Sequence, residues 1–161
     1  MKALDSLSHY NYQPCGAGYS FVTDMGNKYI VSFLEYNIFP EARNTRLYMF
    51  NIERVESEKH SIGQDEKVRN TILCILYHFF ENFTNAIVSV CDMTDGRQDA
   101  RFRLFTQWTN QFLSSDIVCV KASFYVDNVK THAALYYNVN NIDAAILVKG
   151  FSELIDVNFY N

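Results

Sequence analysis

Residues 65–92, DEKVRNTILCILYHFFENFTNAIVSVCD, set the architecture. Val68, Ile72, Ile75, Leu76, Phe79 and Phe80 recur at i, i+4, i+7, i+8, i+11 and i+12. That spacing puts one apolar stripe on a helix. Asp65 stands before the stripe as an N-cap, and Glu66 follows in the first turn, where the helix dipole favours an acid. Asn82 to Asn85 break the pattern. AIVSVCD (86–92) then reads as a short, almost wholly apolar strand, as expected of one covered on both faces. A helix leading directly into a buried strand implies a parallel step inside a sheet.

Outward from this unit the periodicity changes. Upstream, YSFVTD (19–24), MGNK (25–28) and YIVSFLEY (29–36) form a strand, a turn and a strand. NIFPEARNT (37–45) is a loop, and RLYMFNIERV (46–55) alternates as a third strand. Downstream, a second helix spans about Asp95 to Leu113. DIVCVKASFYV (116–126) and KTHAALYYNV (130–139) pair around a tight Asp127-Asn128 turn. A last helix starts near Asn141 and runs toward Leu154 or Ile155. The predicted class is α+β with a mostly antiparallel sheet and the order β-β-β-α-β-α-β-β-α. Residues 1–17 read as a polar and aromatic arm, and residues 18–161 as a single domain.

Composition narrows the functional classes. Hydrophobic residues make up 48% of the 161 and charged residues 20%, which fits a globular domain with its own core. Aromatics reach 16%, which suits thick side-chain layers on a sheet. The net charge is −4 and the cations are scattered, so a general nucleic-acid surface is not expected. Cys15, Cys74, Cys91 and Cys119 form no CxxC or CxxH pair, and His9, His60, His78 and His132 show no metal spacing. No export signal and no membrane span is apparent, so a cytoplasmic protein with free, buried thiols is expected.

The candidate site is CDMTDGRQDARFRLFTQW (91–108). A strand ends at two acids, Asp92 and Asp95, and a helix opens with Arg97, Arg101 and Arg103. On a wheel of about 100° per residue, Leu104, Phe105, Trp108 and Phe112 form a stripe that Arg97 and Arg101 share and Arg103 does not. Two arrangements fit. Arg97 and Arg101 could hold a phosphate or carboxylate at the strand end. Alternatively, Asp92 or Asp95 closes an ion-pair network on Arg101. Cys91 at a strand end reads as a buried thiol rather than a nucleophile, because no histidine lies near it in sequence. His132 sits in a strand whose facing the pattern leaves open. Neither a catalytic set nor a metal set emerges.

The element order resembles the central and C-terminal parts of the GNAT acyltransferase fold over roughly residues 19–140. That resemblance implies an acyl-CoA pyrophosphate loop before the first helix, where this chain reads His60-Ser61-Ile62-Gly63-Gln64-Asp65. Gly63 keeps the first glycine, but histidine replaces the basic position and Asp65 the last glycine. A carboxylate there opposes a phosphate. The family's second motif would fall on Gln98, Arg101, Leu104 and Phe105, with Phe105 in place of a tyrosine that often acts as general acid.

The block DEKVRNTILCILYHFF, the CDMTDGRQDARFRLFTQW stretch and the opening Tyr19-to-Phe33 pattern also resemble a bacterial family of unknown function. The expected function is a non-catalytic regulatory or protein-interaction module without a cofactor, of a toxin–antitoxin or phage-defence kind. Its partner would be a protein or a small anionic ligand, and the sequence leaves a homo-oligomer open. The alternative is a divergent acyl-CoA-dependent N-acyltransferase or a CoA or nucleotide binder, with Asp92, Asp95, Arg97, Arg101 and Gly63 at the ligand.

Overall fold

The computed structural model describes residues 6–55, 65–91, 96 and 98–159. Four strands open the chain: β1 (Tyr12–Cys15), β2 (Gly18–Val22), β3 (Lys28–Glu35) and β4 (Arg46–Arg54). They are followed by α1 (Glu66–Phe80), β5 (Asn85–Val90), α2 (Gln98–Phe112), β6 (Ile117–Val126), β7 (Val129–Asn138) and α3 (Ala144–Phe159). The strands form one sheet in the order β1-β2-β3-β4-β5-β7-β6. Every pairing is antiparallel except β4 with β5. The expected α+β class and the internal parallel step around α1 are therefore present.

One strand was not expected. The arm read over residues 1–17 instead contributes β1, with Tyr12 opposite Phe21 and Cys15 opposite Gly18. Tyr10 just before it is buried and stacks on Phe21, with ring centroids 6.1 Å apart. The tight β1–β2 connection uses Gly16 at φ +54°. Gly18 is needed for a different reason. A Cβ there would lie 1.9 Å from the Val31 carbonyl oxygen on β3.

The sheet is covered on both faces. On one face α1 and α2 bury Ile72, Leu73, Ile75 and Leu76 against Val31, Phe33, Phe50, Ile87 and Tyr136. On the other, α3 and the loop carrying Phe39 and Ala42 bury Leu147 and Phe151 against Leu47, Val88, Leu135 and Tyr137. Asp65 caps α1 as the sequence predicts, and its side chain accepts the Lys67 N–H. Asp127 and Asn128 both have positive φ, 49° and 66°, the conformation a two-residue hairpin turn requires.

Asp143, just ahead of α3, pins the 37–45 loop to the sheet end. Its buried carboxylate accepts from the Asn44 N–H at 2.8 Å and the Thr45 hydroxyl at 3.0 Å. Burial alone would raise this acid, but the donors from Asn44 and Thr45 hold it below the ordinary carboxylate range. Among the described residues, no helix is long and apolar enough to cross a membrane.

The phase of α2 departs from the sequence reading. Arg101 is exposed, as is Arg103. Phe105, Trp108 and Phe112 of the predicted stripe pack on the core, but the buried face extends toward Gln98, Phe102, Thr106 and Thr109 and leaves Arg101 outside it. Thr106 and Thr109 are the cause. Each satisfies its hydroxyl on a helix carbonyl, Phe102 at 2.8 Å and Thr106 at 3.1 Å, so both can be buried despite being polar.

Candidate functional site: Asp99, His132 and Ser123

The β6–β7 hairpin places Ser123 directly opposite His132. Val139 N–H donates to the Asp116 carbonyl at 2.7 Å, one step beyond the same ladder. Hydrogen-bonded pairs therefore fall on even-numbered residues of β6, and Ser123 and His132 form a non-hydrogen-bonded pair, in which side chains come closest. Both side chains lie on the face covered by α2. His132 is 7% exposed, while Ser123 is open to solvent.

Three contacts define the site. The Ser123 hydroxyl lies 2.7 Å from His132 Nδ1. His132 Nε2 contacts Oδ1 of Asp99, in the first turn of α2. The Phe102 ring, one turn further on, stacks over the imidazole with centroids 4.7 Å apart and planes 14° apart. The hydrogen bond from His132 holds the Asp99 carboxyl below the ordinary range, with the Lys130 and Arg103 charges adding to it. An ionised carboxylate only accepts, so Nε2 carries the proton. In the neutral ring Nδ1 is then the bare nitrogen, and the Ser123 hydroxyl donates to it.

Gln98 closes the inner wall. Its Nε2 donates to the Lys130 carbonyl at 3.1 Å, whereas Oε1 is buried without a hydrogen-bond partner among the described residues. The Cys91 N–H donates to the His132 carbonyl at 3.1 Å. Cys91 and His132 thus face each other across β5 and β7, and the cluster stands just past the carboxyl end of β5. Burial pushes the Cys91 thiol up, with the Arg101 charge pulling the other way, so the thiol stays protonated. The parallel ladder ends at Met49 opposite Val88, although β4 runs on to Arg54 and β5 to Val90. Beyond that point Phe105 of α2 packs on Phe50 at 5.5 Å and edge-on to Tyr136 at 5.8 Å.

The site residues read from sequence fare unevenly. Asp92, Asp95, Arg97 and Gly63 lie outside the described residues. Arg101 sits on α2 with its charge felt at Cys91, but on the exposed side rather than the inner face. Asp99 and Ser123 were not anticipated, and His132 was left without a facing. The Asp127-Asn128 turn carried the missing signal, because pairing outward from it puts residue 123 opposite 132. Two clefts, of about 400 Å3 beside Tyr10 and Lys67 and about 310 Å3 beside Tyr77 and Leu113, lie elsewhere. Among the described residues, no group of three or more His, Cys, Asp or Glu could hold a metal ion.

The fold and this site define an α+β domain with a polar relay at the carboxyl end of its parallel strand pair. The chain belongs to a family of unknown function, DUF6169, whose sequence profile matches residues 64–153, more than half of the chain. No curated protein and no solved structure matches it.

Proposed function

We propose that this chain carries out acyl transfer, with His132 as the general base. The observation behind this reading is the Asp99–His132–Ser123 relay, in which a buried imidazole is held by a carboxylate on one side and offers a bare nitrogen to a hydroxyl on the other. A base positioned in this way typically contributes about 10²–10⁴-fold to rate. Asp92, Asp95, Arg97 and Arg101 flank the relay along the chain and would contribute donor binding. The natural acyl donor in this reading is an ester or thioester.

The acyl-CoA alternative bears on the donor. Its pyrophosphate would sit at the start of α1, beside Gly63. There Asp65 takes the Lys67 N–H and, at 2.5 Å, the Tyr10 hydroxyl. That carboxylate competes with any phosphate for the helix donors. A donor without a pyrophosphate is therefore favoured. The test is to offer p-nitrophenyl acetate and acetyl-CoA separately to the full chain and to His132→Asn. Turnover of the simple ester, lost in the variant, supports the reading. Activity confined to acetyl-CoA restores the CoA-dependent alternative.

A second reading rests on a separate observation. β6 is a ten-residue edge strand, and among the described residues only β7 pairs with it. Its outer N–H and C=O groups can accept a partner strand. This supports a non-catalytic interaction module, including a role in a toxin–antitoxin or phage-defence pair. A chain inert toward both acyl donors that pairs through β6 would favour it.

A further inference from the structure

We propose that Ser123 itself is acylated, so that the reaction passes through a covalent acyl-serine. This inference rests on the acyl-transfer reading, which by itself requires only that His132 activate some acceptor. Three observations extend it to Ser123. The hydroxyl already donates to the bare Nδ1 at 2.7 Å, the contact a nucleophile makes with its base. Ser123 is an exposed residue, while the imidazole is screened beneath Phe102. The register supplies the third. Ser123 belongs to a non-hydrogen-bonded pair on an edge strand, so its own backbone N–H points away from β7. That donor is placed to meet the oxygen that becomes negative when the carbonyl is attacked.

The step balances without an oxidant or reductant. The Ser123 oxygen attacks the carbonyl carbon of an ester or thioester, and its proton passes to His132 Nδ1. The bond from the carbonyl carbon to the leaving oxygen or sulfur breaks, and the alcohol or thiol departs with that proton. Water then attacks the acyl-serine, delivering a proton to Nδ1 and releasing the carboxylic acid as Ser123 recovers its hydrogen. Asp99 touches no reacting atom and is a positioning residue.

The test treats the full chain with a fluorophosphonate, which bonds to an activated serine oxygen with loss of fluoride, and locates the label by peptide mass. Wild type is expected to carry it on Ser123, and His132→Asn is expected to lose it. Turnover of p-nitrophenyl acetate is expected to fall about 100-fold or more in Ser123→Ala, with the variant still folded by circular dichroism. Turnover that survives in Ser123→Ala but vanishes in His132→Asn would overturn the acyl-serine and leave His132 as base. No label and no turnover in wild type would overturn both.

Discussion

His132 on β7 and Asp99 in the first turn of α2 are joined by a hydrogen bond that ties a helix start to the last strand pair of the sheet. Residues 33 positions apart in the chain thereby fix the imidazole in one tautomer. A carboxyl with this partner is stabilised in its charged form. Asp99 should therefore titrate below the ordinary carboxylate value of about 3.9 in wild type and return toward it in His132→Asn. The sign follows from the depressed acid: its contribution to stability is present above the unfolded pKa and is lost as pH falls through the folded one. Carbon-detected NMR titration of the Asp99 carboxyl checks this, and identical titrations in the two proteins would mean that the hydrogen bond does not form.

Asp143 is another acid held low, and here the consequence is structural. Asp143→Ala removes the acceptor of the Asn44 N–H and leaves the buried Thr45 hydroxyl with Asn141 Oδ1 alone. Hydrogen bonds to a charged group are worth about 1.5–3 kcal/mol, so urea denaturation should show a loss in that range. Acid should also loosen this corner, because the carboxylate's contribution disappears as pH falls through its lowered pKa.

The phase of α2 gives a clean contrast. Arg101→Ala and Arg103→Ala both replace exposed residues and should each change stability by no more than about 0.5 kcal/mol. Phe105→Ala removes a ring packed between Phe50 and Tyr136 and should cost about 3 kcal/mol. A large loss for Arg101→Ala alone would restore the inward phase that the apolar spacing suggested.

At the sheet's other end, Gly18→Ala would drive a methyl into the Val31 carbonyl. Strain of this kind typically costs about 1–3 kcal/mol, and the melting temperature should fall accordingly. On β6 the ladder parity predicts that Lys121→Pro, which removes only an outward N–H, is milder than Ala122→Pro, which deletes a bond to β7. Equal losses in the two proline variants would contradict the register that also pairs Ser123 with His132.

Much of this fold can be read from the chain. The stripe from Val68 to Phe80, the Asp65 cap and the apolar run into Cys91 identify α1, β5 and the parallel step between β4 and β5. Tyr12–Cys15 were not readable as a strand, because four residues at a sheet edge, with intermediate and exposed positions, leave no alternation to detect. The phase of α2 was hidden by Thr106 and Thr109, which are polar by type yet buried. The site was partly legible. The Asp127-Asn128 turn determines the Ser123–His132 pairing, whereas Asp99 joins them only through the way α2 packs, which no local pattern encodes.

The most direct test of the acyl-transfer account is the steady-state rate of p-nitrophenyl acetate hydrolysis by wild type and by His132→Asn, both confirmed folded. The account predicts wild-type turnover well above buffer and a fall of about 100-fold or more in the variant. Equal rates in the two proteins would contradict it.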